Sequence, residues 1–164
     1  MKVFGITGWK NTGKTGLVER LVSEIVARGF TVSTVKHAHH SFDVDHEGRD
    51  SYRHREAGAR EVLLSSGNRW ALMHELRGAP EVPLADLLTK LTPVDLVLVE
   101  GFKAEGHSKI ECHRAATGKD ILAKTDASIV ALASDTQVDL AQPVFDLNDT
   151  AAIADFVLEQ VGLG

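Results

Sequence analysis

The sequence contains only one cysteine, Cys112, among its 164 residues. A single cysteine excludes a disulfide bond within the chain and suits a reducing compartment. Long hydrophobic runs are missing too, since the longest, at 96–99 and 129–133, have the size of a strand and fall far short of a membrane span. The apolar N-terminal residues lead straight into a glycine-rich loop, so we interpret them as structure rather than as a cleaved signal. We therefore expect a cytoplasmic protein without a membrane segment.

Runs of basic residues are absent as well. The net charge is −5 and no basic tail is present, which argues against general binding to nucleic acid. A composition of 43% hydrophobic and 25% charged residues is typical of a folded globular protein. We find no linker, repeat or low-complexity stretch, so the sequence predicts a single domain over residues 1–164.

A complete phosphate-loop pattern, G-x-x-x-x-G-K-[ST], stands at residues 8–15 as GWKNTGKT. The preceding residues, KVFGIT at 2–7, are short, apolar and β-branched, and they predict a strand. The following residues place apolar side chains at helical spacing until Gly29, which predicts an amphipathic helix and its C-terminal cap. Strand, glycine loop and helix in this order are typical of a nucleoside-triphosphate-binding fold.

The chemistry of phosphate binding explains this spacing. Gly8 and Gly13 permit backbone angles at which successive N–H groups converge on a phosphate chain. Lys14 is predicted to reach the β- and γ-phosphates, and the Thr15 hydroxyl to bind Mg²⁺. The predicted nucleotide-binding residues of this loop are Gly8, Lys10, Asn11, Thr12, Gly13, Lys14, Thr15 and Gly16.

Strand-sized apolar segments alternate with helical ones along the rest of the chain. The predicted strands are 31–36, 94–99, 110–113 and 129–133, and the predicted helices are 50–59, 84–91 and a last one that starts at Asn148 or Asp149. This alternation predicts an α/β fold of the phosphate-loop NTPase type, with a mostly parallel sheet flanked by helices. Segments 61–65 and 70–75 predict an antiparallel hairpin, and we expect this hairpin and segment 107–114 to form antiparallel edge strands.

An acidic residue ends the apolar strand DLVLVEG at 95–101. In open α/β sheets ligands bind at the carboxyl ends of the strands, so Glu100 is predicted to hold Mg²⁺, directly or through water. Asp95 begins the same strand and is expected at the opposite edge of the sheet. The alternative is that Glu100 is a solvated acid at the end of a strand.

Five of the eight histidines lie between Lys36 and Arg60, interleaved with acidic residues. Three interpretations stay open for this segment. A switch and anion-binding loop would place four side chains around the phosphates and Mg²⁺: Lys36, Asp45, Arg49 and Arg53. A transition-metal site would combine two aspartates with the imidazoles of His37, His39, His40 and His46. The third possibility is a polar surface loop without a ligand.

Segments along nearly the whole chain resemble the MobB family. They are KHAHH at 36–40, DVD at 43–45, GRDSY at 48–52, AGA at 57–59, RWALM at 69–73, LVEGFK at 98–103 and VALASD at 130–135. The resemblance implies a GTP-binding adapter in the synthesis of molybdopterin guanine dinucleotide. It further implies GTP as the nucleotide, a homodimer, and the nucleotidyltransferase MobA as partner.

A GTP-binding protein needs a group that reads guanine, usually a carboxylate that accepts two hydrogen bonds from the base. Asp135 directly follows the 129–133 strand and is the predicted residue. The run AKTD at 123–126 resembles the N-K-x-D guanine motif, but it precedes a strand, and we interpret it as a coincidence. Molybdopterin is a further possible ligand, and the candidates for its anionic phosphate are Lys36, Arg49, Arg53 and Lys103.

No catalytic residue is assigned. The glutamines Gln137, Gln142 and Gln160 stand far from a plausible switch, so we expect slow GTP hydrolysis of roughly 10⁻⁴ to 10⁻² per second.

Two alternatives to the adapter function remain. One is a nickel-insertion GTPase metallochaperone, which the histidine-rich segment favours. The other is a small-molecule phosphotransferase, against which stands the lack of a recognisable acceptor-activating base.

Overall fold

The structure is a computed structural model, and it describes residues 1–38 and 42–164. His39 and His40, two of the predicted metal ligands, lie outside the described residues. The chain forms two compact units, the first made of Met1–His37 and Leu88–Gly164 and the second of Ala38–Leu87. Among the described residues, no helix is long and apolar enough to cross a membrane. The single domain over residues 1–164 stays a prediction.

The elements alternate between strand and helix for most of the chain. The strands are β1 Lys2–Thr7, β2 Val32–Lys36, β3 Glu61–Ser65, β4 Trp70–His74, β5 Leu96–Glu100, β6 Lys109–His113, β7 Ile129–Ser134 and β8 Val144–Asp146. The α-helices are α1 Lys14–Ala27, α2 Asp50–Glu56, α3 Leu84–Leu88 and α4 Thr150–Val161, and short 3₁₀ helices occupy Ala115–Thr117 and Leu122–Lys124.

The first unit contains a six-stranded sheet in the order β2-β5-β1-β6-β7-β8, in which every neighbouring pair is parallel. Alternate side chains of β1 and β5, such as Phe4, Ile6 and Leu98, pack with Leu21 of α1 and Val157 of α4 in one buried core. Phosphate-loop nucleotide sites form at the carboxyl edge of such a sheet. The predicted α/β fold with a mostly parallel sheet is confirmed.

Segment 107–114 was expected to be an antiparallel edge strand, and this expectation is wrong. β6 is parallel to both neighbours and lies between β1 and β7, with all five of its residues buried. The charged side chains of β6 find partners inside the protein. Lys109 Nζ donates to Ser128 Oγ at 2.8 Å, and the Glu111 carboxylate accepts the Leu122 and Ala123 amides at 3.0 and 2.8 Å.

The helix boundaries follow local signals in the sequence. Gly29, with φ of +93°, follows the end of α1, and the Asp149 side chain caps α4 by accepting the Ala152 amide at 3.1 Å. Gly162 ends α4 with φ of +70°. Two predicted helices are shorter than expected, since α2 ends at Glu56 and α3 at Leu88.

The second unit contains α2 and the predicted hairpin. β3 and β4 are antiparallel, with register from Glu61↔His74 to Ser65↔Trp70, and they form a two-stranded sheet of their own. Arg55 of α2 holds this unit together. Its guanidinium lies 2.9 Å from Asp43 and 3.1 Å from Glu75, and its backbone carbonyl accepts a hydrogen bond from Arg77.

Candidate functional site

The phosphate loop connects β1 to α1 at the carboxyl edge of the sheet. Gly8 has φ of +134°, and a Cβ there would collide with the Cys112 carbonyl, so a larger residue cannot take this place. Gly13, with φ of +96°, directly precedes α1. The Thr12 hydroxyl is buried and donates to the Trp9 carbonyl at 2.9 Å, which closes the loop on itself. The loop therefore has the curled backbone that the pattern predicts.

The ammonium group of Lys14 folds back over this loop. Lys14 Nζ donates to the Trp9 carbonyl at 2.5 Å. Burial lowers the pKa of Lys14, while the nearby Cys112 and Glu100 side chains act in the opposite direction. A half-buried ammonium held by one carbonyl has donors left for a stronger, charged acceptor such as a phosphate.

Thr15 and Glu100 come together where the sequence places Mg²⁺. The Thr15 hydroxyl lies 3.2 and 3.4 Å from the two carboxylate oxygens of Glu100. Lys36 joins them, with its Nζ 3.2 Å from Glu100 and 3.4 Å from the Thr15 hydroxyl, because Lys36 pairs with Glu100 in the β2–β5 register. A hydroxyl and a nearly buried carboxylate are oxygen ligands that suit Mg²⁺, so these residues fit the ion.

Residues of the phosphate loop line one open cavity of about 390 Å³. Its lining is Asn11, Gly13, Lys14, Thr15, Gly16 and Arg114. Arg114 was missed by sequence reasoning. It directly follows β6, as Glu100 ends β5, so the rule that ligands bind at the carboxyl ends of parallel strands points to it once β6 is placed beside β1.

Lys103, a candidate for binding an anion, lies beside the same loop. Its Nζ is 4.4 Å from the centre of the Trp9 ring, and the Trp9 indole N–H donates to the Asp120 carbonyl at 2.8 Å. The buried Lys109 fixes the turn that carries Lys103 by donating to the carbonyls of Lys103 and Glu105. A cation and an aromatic ring thus stand next to the phosphate cavity.

Asp135 lies directly after β7 at the ligand edge, as predicted. Its Oδ1 accepts the Ala115 amide at 2.9 Å, and its Oδ2 lies 4.0 Å from Arg114 Nη1. The competing carboxylate, Asp126, lies before β7 begins, where its Oδ1 accepts a hydrogen bond of 2.9 Å from the Ser128 amide. Asp126 therefore belongs to a turn at the amino end of a strand, away from the ligand edge.

The remaining predicted residues belong to the second unit. Asp45 Oδ1 accepts the Ser51 hydroxyl at 2.9 Å, while Arg53 is exposed and lies 4.0 Å from Asp50. Arg49 precedes the first turn of α2. Within residues 1–38 and 42–164, no group of three or more His, Cys, Asp and Glu side chains is arranged to hold a metal. A role for Asp45 on Mg²⁺ stays a prediction.

Comparison with known proteins assigns the family. Residues 3–135 match the family model of MobB, molybdopterin guanine dinucleotide synthesis protein B. The chain belongs to the MobB family. It is 41% identical to the molybdopterin-guanine dinucleotide biosynthesis adapter protein of Haemophilus influenzae over 158 residues, which cover 94% of this chain and 86% of the relative. The protein of the same name from Escherichia coli is 39% identical over 162 residues, covering 96% and 91%.

The fold comparison agrees with the sequence comparison. The X-ray crystal structure of a MobB homologue from Bacillus stearothermophilus has a TM-score of 0.74 and 29% identity, and the match covers all of both chains. The resemblance that the sequence motifs indicate is therefore confirmed, as is the fold.

Proposed function

We propose that this MobB-family protein is a GTP-binding adapter in molybdenum cofactor biosynthesis. It assists a MobA-type nucleotidyltransferase in the cytoplasm to form molybdopterin guanine dinucleotide. The observation that supports this function best is the phosphate loop with Thr15 and Glu100 side by side, in a chain similar to two biosynthesis adapter proteins at 41% and 39% identity. No comparable observation favours the nickel chaperone or the phosphotransferase.

The nucleotide is GTP with Mg²⁺. Lys14 and the backbone N–H groups of the loop bind the phosphates, and Thr15 and Glu100 hold the metal. Bound there, Mg²⁺ neutralises charge on the phosphate oxygens. Asp135 reads guanine through Oδ2, which accepts no hydrogen bond among the described residues.

Hydrolysis is slow, at roughly 10⁻⁴ to 10⁻² per second. Of the described residues that line the loop cavity, none is a glutamine, histidine or acid that would orient a water molecule. The protein therefore acts mainly as a GTP-dependent binding module rather than as a fast GTPase.

Molybdopterin is a further possible ligand. Lys103, held over Trp9 beside the loop, is suited to bind its anionic phosphate, and Lys36, Arg49 and Arg53 are the further candidates.

The active form is a homodimer. Leu63 and Leu72 are cross-strand partners in the hairpin, and they share one face with Trp70 by the alternation of the strands. Trp70 is 64% exposed and Leu63 62%, which is a large apolar surface for so small a sheet. A second copy of the chain covers this face in the proposed dimer.

The deciding experiment is formation of the dinucleotide cofactor from molybdopterin, molybdate, Mg-GTP and MobA, with and without this protein. We expect stimulation by the protein and its loss in a Lys14→Ala variant, because Lys14 neutralises the phosphate charge. No stimulation by a protein that demonstrably binds GTP would contradict the adapter function.

A further inference from the structure

We propose that Arg114 binds the α-phosphate of the nucleotide, at the end of the phosphate chain away from Mg²⁺. The cavity beyond Arg114 then receives the nucleoside. This inference rests on the proposed nucleotide binding at the phosphate loop, and it adds a binding residue that the loop pattern does not contain.

Arg114 stands close to the start of α1. A Cβ added to Gly13 would lie 3.4 Å from Arg114 Nε and 3.5 Å from Nη2, so the guanidinium lies where even the smallest side chain at Gly13 would contact it. It lines the loop cavity together with Lys14 and Thr15. The guanidinium therefore faces the space that the phosphates are proposed to occupy.

The donors of this guanidinium are available. Across residues 1–38 and 42–164, the Arg114 side chain donates no hydrogen bond, and its one ion pair is the 4.0 Å approach to Asp135. The side chain is nevertheless only 42% exposed. Arginine carries five N–H donors in a planar fork that matches phosphate oxygens. A half-buried fork with unused donors beside a phosphate loop points to an anionic ligand.

The sheet order shows which phosphate Arg114 meets. β5 and β6 flank β1 on opposite sides, so Glu100 at the end of β5 and Arg114 after β6 lie on opposite sides of the loop. Lys14 and Mg²⁺ act at the β- and γ-phosphates, and the metal ligand Glu100 marks that end. A phosphate chain that lies across the loop therefore directs its γ-phosphate toward Glu100 and its α-phosphate toward Arg114.

A second cavity continues on the Arg114 side of the loop. It has a volume of about 480 Å³ and shares Asn11 and Arg114 with the first cavity. Its other lining residues are Trp9, Lys10, Ala116, Thr117 and Lys119. It therefore stands where the nucleoside must emerge if the α-phosphate meets Arg114.

Besides its proposed role in reading guanine, Asp135 acts as a positioning residue for Arg114. Its Oδ1 accepts a hydrogen bond from the amide of Ala115, the residue after Arg114. Its Oδ2 lies 4.0 Å from Arg114 Nη1, so its negative charge faces the guanidinium. At this distance Asp135 forms no hydrogen bond with the guanidinium. Asp135 therefore orients Arg114 by its charge, and the N–H donors of Arg114 remain available to the ligand.

The test is the affinity of an Arg114→Met variant for Mg-GTP and Mg-GDP, measured by isothermal titration calorimetry. Both nucleotides carry the α-phosphate, so we expect both dissociation constants to rise by a similar factor of about 10 to 100. The hydrolysis rate at saturating GTP is measured in parallel. Lys124→Met is the matched control, because it removes an exposed positive charge from the same unit without touching either cavity.

The outcomes separate this inference from the proposed function. If the unmodified protein binds no nucleotide, both are wrong. If it binds GTP and GDP while Arg114→Met binds them equally well, only the inference is wrong. Loss of hydrolysis with unchanged GDP affinity would place Arg114 at the γ-phosphate and overturn the inference. Arg114→Lys, which keeps the charge but not the fork, should weaken both nucleotides less than Arg114→Met does.

Discussion

The two compact units of this protein use their charged and apolar side chains differently. In the first unit, Glu100 and Arg114 stand at the ends of β5 and β6, two strands whose own residues are all buried. Buried strands fix the backbone from which these two side chains extend. The first unit is thus organised for a small, strongly charged ligand.

In the second unit, apolar side chains of the hairpin are exposed, and a largely buried arginine carries the ion pairs. Leu63, Leu64, Trp70 and Leu72 of the hairpin are all exposed, while Arg55 is largely buried among Asp43, Asp45 and Glu75. A two-stranded sheet is only marginally stable alone. We therefore expect that substitutions can disturb nucleotide binding and protein contact separately.

The largest expected effect is on the first unit. Lys14→Ala should weaken Mg-GTP binding by about 100-fold or more, because it removes the ammonium that neutralises the β- and γ-phosphates. Isothermal titration calorimetry measures this loss, and Lys124→Ala is the control for charge alone. Binding as tight as that of the unmodified protein would place the nucleotide elsewhere.

The next effect belongs to the second unit. Trp70→Asp should raise the dissociation constant of the dimer about 30-fold, because a charge would be buried at the centre of the proposed apolar contact. Analytical ultracentrifugation measures the dimer, and GTP affinity should be unchanged. Val26→Asp is the control, since Val26 is a similarly exposed apolar residue on α1 of the first unit. An unchanged dimer would remove the hairpin from the interface.

A third effect concerns the metal ligands. Glu100→Gln should weaken GTP binding about 20-fold in Mg²⁺ and leave it nearly unchanged in EDTA, because the amide keeps the shape but loses the charge that holds the ion. Titrations with and without EDTA make this comparison, with the exposed Glu159→Gln as control. Equal losses in both conditions would show that Glu100 acts on the loop rather than on the metal.

A fourth and smaller effect concerns the base. Asp135→Ala should reduce the preference for GTP over ATP about tenfold, because guanine loses an acceptor for its N–H groups. Competition between the two nucleotides measures this ratio, and the exposed Asp139→Ala serves as control. Unchanged selectivity, with both nucleotides bound more weakly, would leave Asp135 only its role in positioning Arg114.

The smallest effect is the acid response of the second unit. The Asp45 amide and, after it, the Arg55 guanidinium hold the pKa of Asp43 below its usual value. The stabilisation from the charged carboxylate is therefore present above the unfolded pKa of about 3.9 and is lost as pH falls through the lower folded pKa. Hydrogen exchange in β3 and β4, corrected for its intrinsic pH dependence, should rise below about pH 4. Asp43→Asn should abolish this rise in hydrogen exchange. If the rise persists in the variant, another acidic residue causes it.

Local signals in the sequence predicted much of the fold and part of the site. The glycine pattern predicted the curled loop, and the hairpin and the Asp149 cap followed from turn and capping residues. Glu100 could be placed beside Thr15 because a parallel sheet aligns the carboxyl ends of its strands. Each of these features depends on residues close together in the chain or on one general rule of sheet architecture.

The sequence by itself determined the phosphate loop, the family and the α/β class, because those depend on short patterns that need no partner. Only the tertiary structure decided that β6 lies inside the sheet, that Lys36 faces Glu100, and that Arg114 joins the loop cavity. These features depend on the order of strands in the sheet. That order arises from packing between segments far apart in the chain, and no local pattern of apolar or charged residues specifies it.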